Sequence, residues 1–175
     1  MSFLQPSDFK GVIAQSNNEF TQPKLQLYID RYEFRYLVDL LGSDFFDEFV
    51  ADLDTAPNIT PASVPTSAKF LDIFNAFSLD DGEIVRVSEG FKVMLRFFIF
   101  FEYARDNQFD FSLTGATKNT FSNAEIARLV STNANDNYNR GYETYREIQW
   151  FIEDNPNDSD YTLENGQPKE TISWL

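Results

Sequence analysis

Residues 91–104 constrain this chain more than any other segment. Phe91, Leu95, Phe98 and Phe101 recur at helical spacing along one side, and Val93, Phe97, Phe100 and Ala104 along another, so a helix here is apolar around most of its circumference. Arg96 and Glu102 interrupt the run, and it falls short of the roughly 20 apolar residues that cross a bilayer. It therefore reads as a buried helix, either central to a helical fold or covered by a neighbouring subunit. Ser88 is its candidate cap, and its end is expected near Asp106.

A central helix needs amphipathic partners. Over 24–41, Leu25, Tyr28, Tyr32, Tyr36 or Leu37, and Leu40 return every three or four residues, which predicts one such partner. Gly42 supplies a C-cap able to take positive φ. Ser43 then serves as N-cap, with Asp44 in the first turn, for a shorter helix carrying Phe45, Phe46 and Phe49. Pro57, Pro61 and Pro65 make 54–65 a loop, after which Thr66 or Ser67 caps a short helix bearing Phe70, Leu71, Phe74 and Phe77. Asp80, Asp81 and Gly82 form a turn, and Ile84, Val85 and Val87 briefly extend. Earlier, Phe3, Leu4 and Phe9 with Ser7 and Asp8 suit a short capped turn or helix. Phe109, Phe111 and Leu113 alternate with polar residues ahead of Thr114 and Gly115, so 107–120 is expected to be extended or hairpin-like. Ser122 and Glu125 have capping-box spacing at the head of a long helix, whose seam runs through Ile126, Val130, Ala134, Tyr138, Tyr145, Ile148 and Ile152 until Pro156 ends it.

The expected fold is mainly α: a helical bundle, one extended or hairpin-like excursion between the last two long helices, and an extended C-terminal arm. Residues 1–155 form the helical domain and 156–175 an acidic tail. The core is expected to contain Tyr28, Tyr32, Leu37, Leu40, Phe45, Phe98, Phe101, Tyr138, Tyr145 and Ile148. Two apolar sets need cover from outside: Phe109, Phe111 and Leu113 with the Thr114-Gly115 turn, and Ile172, Trp174 and Leu175 at the end of the tail. Both are candidate interfaces.

The residue inventory narrows the chemistry. With no histidine and no cysteine, the commonest general base, the thiolate nucleophile and the soft metal ligands are all missing. Carboxylates cluster at Asp44, Asp47, Glu48 and Asp52, at Asp80, Asp81 and Glu83, and at Asp154, Asp158 and Asp160. The first group has helical spacing, but any solvated acidic helix displays such a face. The last fails as a calcium loop, because Pro156 stands where an oxygen ligand is needed and the turn glycine and terminal glutamate are absent. The glycines stand apart, so no phosphate-binding loop is present. The expectation is no enzyme, no metal and no cofactor. A net charge of -14 disfavours specific DNA binding. Nineteen phenylalanines, eight tyrosines and two tryptophans favour further burial against protein partners. No targeting segment or membrane span is expected.

The run Tyr28-Ile29-Asp30 through Tyr36-Leu37-Val38-Asp39-Leu40-Leu41-Gly42, with the aromatic helix from Phe45, resembles the first half of head-to-tail connector (adaptor) proteins of tailed bacteriophages, notably those of Bacteroides-like hosts. The segments Phe98-Ile99-Phe100-Phe101-Glu102-Tyr103-Ala104-Arg105-Asp106-Asn107 and Ser112-Leu113-Thr114-Gly115-Ala116, then a long helix with Tyr138, Tyr142 and Tyr145 ending at Ile152-Glu153-Asp154-Asn155, extend the likeness over residues 9–155. The resemblance implies a structural virion protein of the neck that assembles in the bacterial host cytoplasm. Its copies would form a ring, twelve-fold in the usual case, beneath the portal protein. That ring would extend the DNA channel without binding DNA specifically and receive further neck or tail proteins. The alternative class is another protein-binding assembly module, such as a tail-completion factor or a small regulator.

Overall fold

The computed structural model describes residues 2–9, 21–80, 82–113, 121–153, 166 and 169, with side chains placed for all of these except 21, 22, 107–113 and 121–133. After a 3-10 turn, Pro6–Phe9, come α1 (Thr21–Leu41), α2 (Ser43–Ala51), α3 (Ala68–Phe74), strands β1 (Phe77–Asp80) and β2 (Val85–Ser88), and the long helices α4 (Phe91–Leu113) and α5 (Phe121–Glu153). The class is mainly helical, with one small antiparallel hairpin among the described residues.

The apolar helix of the sequence is the centre of this frame. In α4, Phe91, Met94, Leu95, Phe97, Phe98, Ile99, Phe100, Phe101 and Ala104 are all buried. Cover comes from the chain itself, since α5, α1, α3 and the 3-10 turn all pack on α4. Of the other expected core positions, Tyr32, Leu37, Leu40, Phe45, Tyr145 and Ile148 are buried, while Tyr28 and Tyr138 are half-buried against the same cluster. The aromatic rings interlock: Phe49 lies 5.4 Å from both Phe70 and Phe91, and Phe3 closes that end at 5.7 Å from Phe49. Each pair adds about 0.5–1.5 kcal/mol beyond area burial, which is how a Phe-rich core becomes specific rather than merely oily.

Two glycines set the corners. Gly42 has φ 77; its N–H donates to the Val38 carbonyl at 2.8 Å, ending α1, and its own carbonyl accepts from Phe46, starting α2. Gly90 has φ 85 and lies so close to the α3 exit that a Cβ would sit 2.8 Å from the Phe74 carbonyl oxygen. The first residues are held by Glu33 of α1, whose buried carboxylate accepts the N–H groups of Phe3 and Leu4 at 2.7 and 3.1 Å. Burial pushes that carboxyl up to about 7, against the pull of the two backbone N–H groups.

Several local expectations are corrected. Residues 107–113, with Phe109, Phe111 and Leu113, continue α4 as helix past Asp106, and the rest of the expected excursion, 114–120, lies outside the described residues; the hairpin at 77–88 stands ahead of α4. A formed helix propagates without a new nucleus, and no glycine or proline stands before Gly115 to stop it. Thr114 and Gly115 lie outside the described residues. Phe77 belongs to β1, not to the helix before it. Ser43 is the first residue of α2, and Gly42 occupies the cap position without a side-chain bond. Ser88 ends β2, its hydroxyl accepting from the Gly90 N–H at 3.1 Å, and α5 starts at Phe121, so Ser122 and Glu125 fall inside it.

Candidate assembly surface

The hairpin is built around Gly82, with φ 88, and the Asp80 carboxylate accepting the Gly82 N–H at 2.9 Å. Register pairs Phe77 with Ser88, Ser78 with Val87, Leu79 with Arg86, and Asp80 with Val85. Strand alternation puts Phe77, Leu79, Arg86 and Ser88 on one face and Ser78, Asp80, Val85 and Val87 on the other. The first face is bolted to α5. The Arg86 guanidinium lies 3.6 Å over the Trp150 ring and 3.2 Å from a Glu147 oxygen, and Phe77 meets Phe151 at 5.2 Å. Glu147 is itself buried and shared between two cations, its other oxygen accepting from Arg146 at 2.8 Å. Below the hairpin, Glu89 pairs with Arg140 at 2.9 Å and its N–H reaches the Thr144 hydroxyl.

The other face is open, polar along β1 at Ser78 and Asp80 and apolar along β2. Val85 is 62% exposed, Val87 54%, and Ile84 beside the turn 51%; Leu79, on the first face, is 38% exposed. Apart from Leu27 and Val64, these are all the exposed large hydrophobic residues among those described. A two-stranded sheet also leaves each strand one outer edge that no described strand covers. An open strand edge flanked by valines is a ready template for another chain, and a hairpin alone gains little stability from such residues.

The acidic cluster of α2 has a structural use. Asp52, at the C-cap of α2, accepts the N–H groups of Thr66 and Ser67 at 2.9 and 3.0 Å and both of their hydroxyls, fastening the proline loop ahead of α3. Burial alone would raise its carboxyl, but these bonds outweigh it and hold the group below the usual carboxylate range. Among the described residues no three carboxylates group so as to hold a metal, and no helix is long and apolar enough to cross a membrane. A cavity of about 230 Å³ opens between the first residues and α4. Two cations that line it are already committed, Lys92 to the Pro61 carbonyl and Arg96 to the Asp8 carbonyl.

Of the interface residues named from sequence, Phe109, Phe111 and Leu113 lie on α4 without placed side chains. Ile172, Trp174 and Leu175 lie outside the described residues. The tail does touch the body, through Lys169. Its Nζ is 3.0 Å from an Asp39 carboxylate oxygen and 4.8, 5.2 and 5.9 Å from the ring centres of Tyr36, Tyr145 and Phe98. The sequence signal for this contact was slight: Lys169 is the sole basic residue of 156–175. The hairpin had a better one, since Leu79, Val85 and Val87 flank an Asp-Asp-Gly turn.

Set against known proteins, the chain matches no protein-family model, no curated protein and no solved structure.

Proposed function

We propose that this chain is a structural subunit of the head-to-tail connector of a tailed bacteriophage. Copies close into a ring, twelve-fold in the usual case of the family it resembles, beneath the portal protein; the ring extends the DNA channel and seats further neck or tail proteins. The observation that carries this reading is the hairpin at 77–88, anchored to α5 on one face and presenting Val85 and Val87 on the other, with Ile84 exposed beside the turn. An anchored hairpin with exposed valines suits a head-to-tail contact, in which a patch on one copy meets a different patch on the next and rotation closes the set. The charge of -14 agrees with a lumen past which phosphates slide without sticking.

The test is sedimentation of the full chain against Val85→Asp/Val87→Asp. The wild type is expected to reach a defined ring mass as concentration rises. The double variant keeps its helical circular dichroism and stays a single subunit, because two carboxylates cannot be buried unpaired in the contact. A double variant that assembles as well as wild type removes the hairpin from the interface.

A further inference from the structure

The tail lysine sits in a formed receptor. Its aromatic walls come from three helices: Tyr36 from α1, Phe98 from α4 and Tyr145 from α5. Their orientations are fixed before any ligand is considered. The Tyr36 hydroxyl donates to a Glu102 oxygen at 2.7 Å, the Tyr145 hydroxyl donates to the Asp39 backbone carbonyl at 2.6 Å, and the Phe98 ring is stacked on Tyr36 at 4.6 Å. Burial pushes both phenols up, so both stay protonated and keep donating. The Asp39 carboxylate completes the set. In the seat the Lys169 side chain is 13% exposed and Asp39 28%. Ring faces attract a cation through their quadrupoles, and the carboxylate accepts one of the ammonium N–H bonds.

We propose that Tyr36, Phe98, Tyr145 and Asp39 form a binding site for a primary alkylammonium group, with the Lys169 side chain as its resident and displaceable ligand. The seat requires a cation with an N–H to donate and a narrow stem, which describes the end of a lysine. It disfavours a quaternary ammonium, which has nothing to give Asp39. Preorganised walls mean that binding orders little beyond the ligand itself. Among the described residues Lys169 is held by one ion pair and three ring faces, and such contacts on one side chain make a weak hold. The attachment of Lys169 is therefore open to competition from any other primary ammonium at sufficient concentration.

The test titrates n-butylammonium chloride into the full-length Lys169→Ala chain while the ring-proton NMR signals of Tyr36, Phe98 and Tyr145 are followed, with sodium chloride holding ionic strength constant. Saturable shifts are expected. Affinity should be weaker in wild type, where the tethered lysine competes for the same seat. It should also be about tenfold weaker in Asp39→Asn/Lys169→Ala, and weaker for tetramethylammonium. Wild type offers a readout that needs no vacated seat. The Lys169 ε-methylene, adjacent to three ring faces, should resonate upfield of an exposed lysine and move back in Asp39→Asn. Shifts that never saturate in Lys169→Ala, equal affinity in wild type, or an unshifted ε-methylene would each overturn the proposal.

Discussion

Replacing Phe98 with alanine probes the junction on which the whole frame depends. Phe98 is fully buried, stacked on Tyr36, with Tyr138 at 5.2 Å and the Tyr145 edge at 6.1 Å. On the α5 side the backbone comes in at Gly141, where a Cβ would stand only 3.2 Å from the Phe98 ring. Collapse into the vacated space would require moving α4 against α5, the most extensive packing in the molecule. The hole therefore stays largely open, and Phe98→Ala should cost about 4 kcal/mol, in the middle of the range for buried Phe→Ala. With total stability of order 5–15 kcal/mol, that is a large fraction. Urea unfolding followed by circular dichroism should show the midpoint falling by about 2 M with unchanged slope, for a slope near 2 kcal/mol/M. A loss below about 1 kcal/mol would mean that the ring is not locked between Tyr36 and α5.

Further outcomes follow from single contacts. Gly90→Ala should destabilise by about 3 kcal/mol or more in the same assay, because it combines φ 85 with a Cβ 2.8 Å from the Phe74 carbonyl; a loss under about 1 kcal/mol would refute the close approach. Asp52→Ala removes the anchor of Thr66 and Ser67 and should cost about 1–2 kcal/mol near neutral pH. Because the Asp52 carboxyl is held low, that contribution is present above about pH 4 and disappears as pH falls through its folded value; a difference that persists unchanged at pH 2 would contradict this. Glu33 has the opposite sign. Its carboxyl is raised from 4.5 to about 7, so its contribution is complete below about pH 4.5 and is lost as pH rises to about 7, at about 1.4 kcal/mol per pH unit. Relative to Glu33→Gln, wild type should gain about 3 kcal/mol on going from pH 7 to 4.5, and parallel profiles would exclude a buried titrating Glu33.

What could be read from sequence was what repeats locally. The heptad-like spacing of Leu25, Tyr28, Tyr32 and Leu40, the positive-φ corner at Gly42 and the crowded apolar run of α4 each announce themselves within a few turns. β1 was hidden because Phe70, Phe74 and Phe77 also satisfy a helical period, and only its pairing with β2 decides otherwise. The stretch 107–113 failed in reverse: alternation of Phe109, Phe111 and Leu113 suggested extension, while continuation of an established helix was cheaper. The ammonium seat had no local signature at all. Tyr36, Phe98, Tyr145 and Lys169 are far apart in sequence and meet only through the packing of three helices and the return of the tail. The exposed valines of β2 were visible as extended residues, but their exposure depends on Arg86 choosing Trp150 and Glu147 as the side to face.

Electron cryo-microscopy of the full chain at assembling concentration shows whether copies close on one another through the hairpin. Closed rings of constant subunit number are expected, with Ile84, Val85 and Val87 covered by the adjacent copy. Free 20.3 kDa subunits at every concentration, or rings in which those three side chains still face solvent, would overturn the proposed ring.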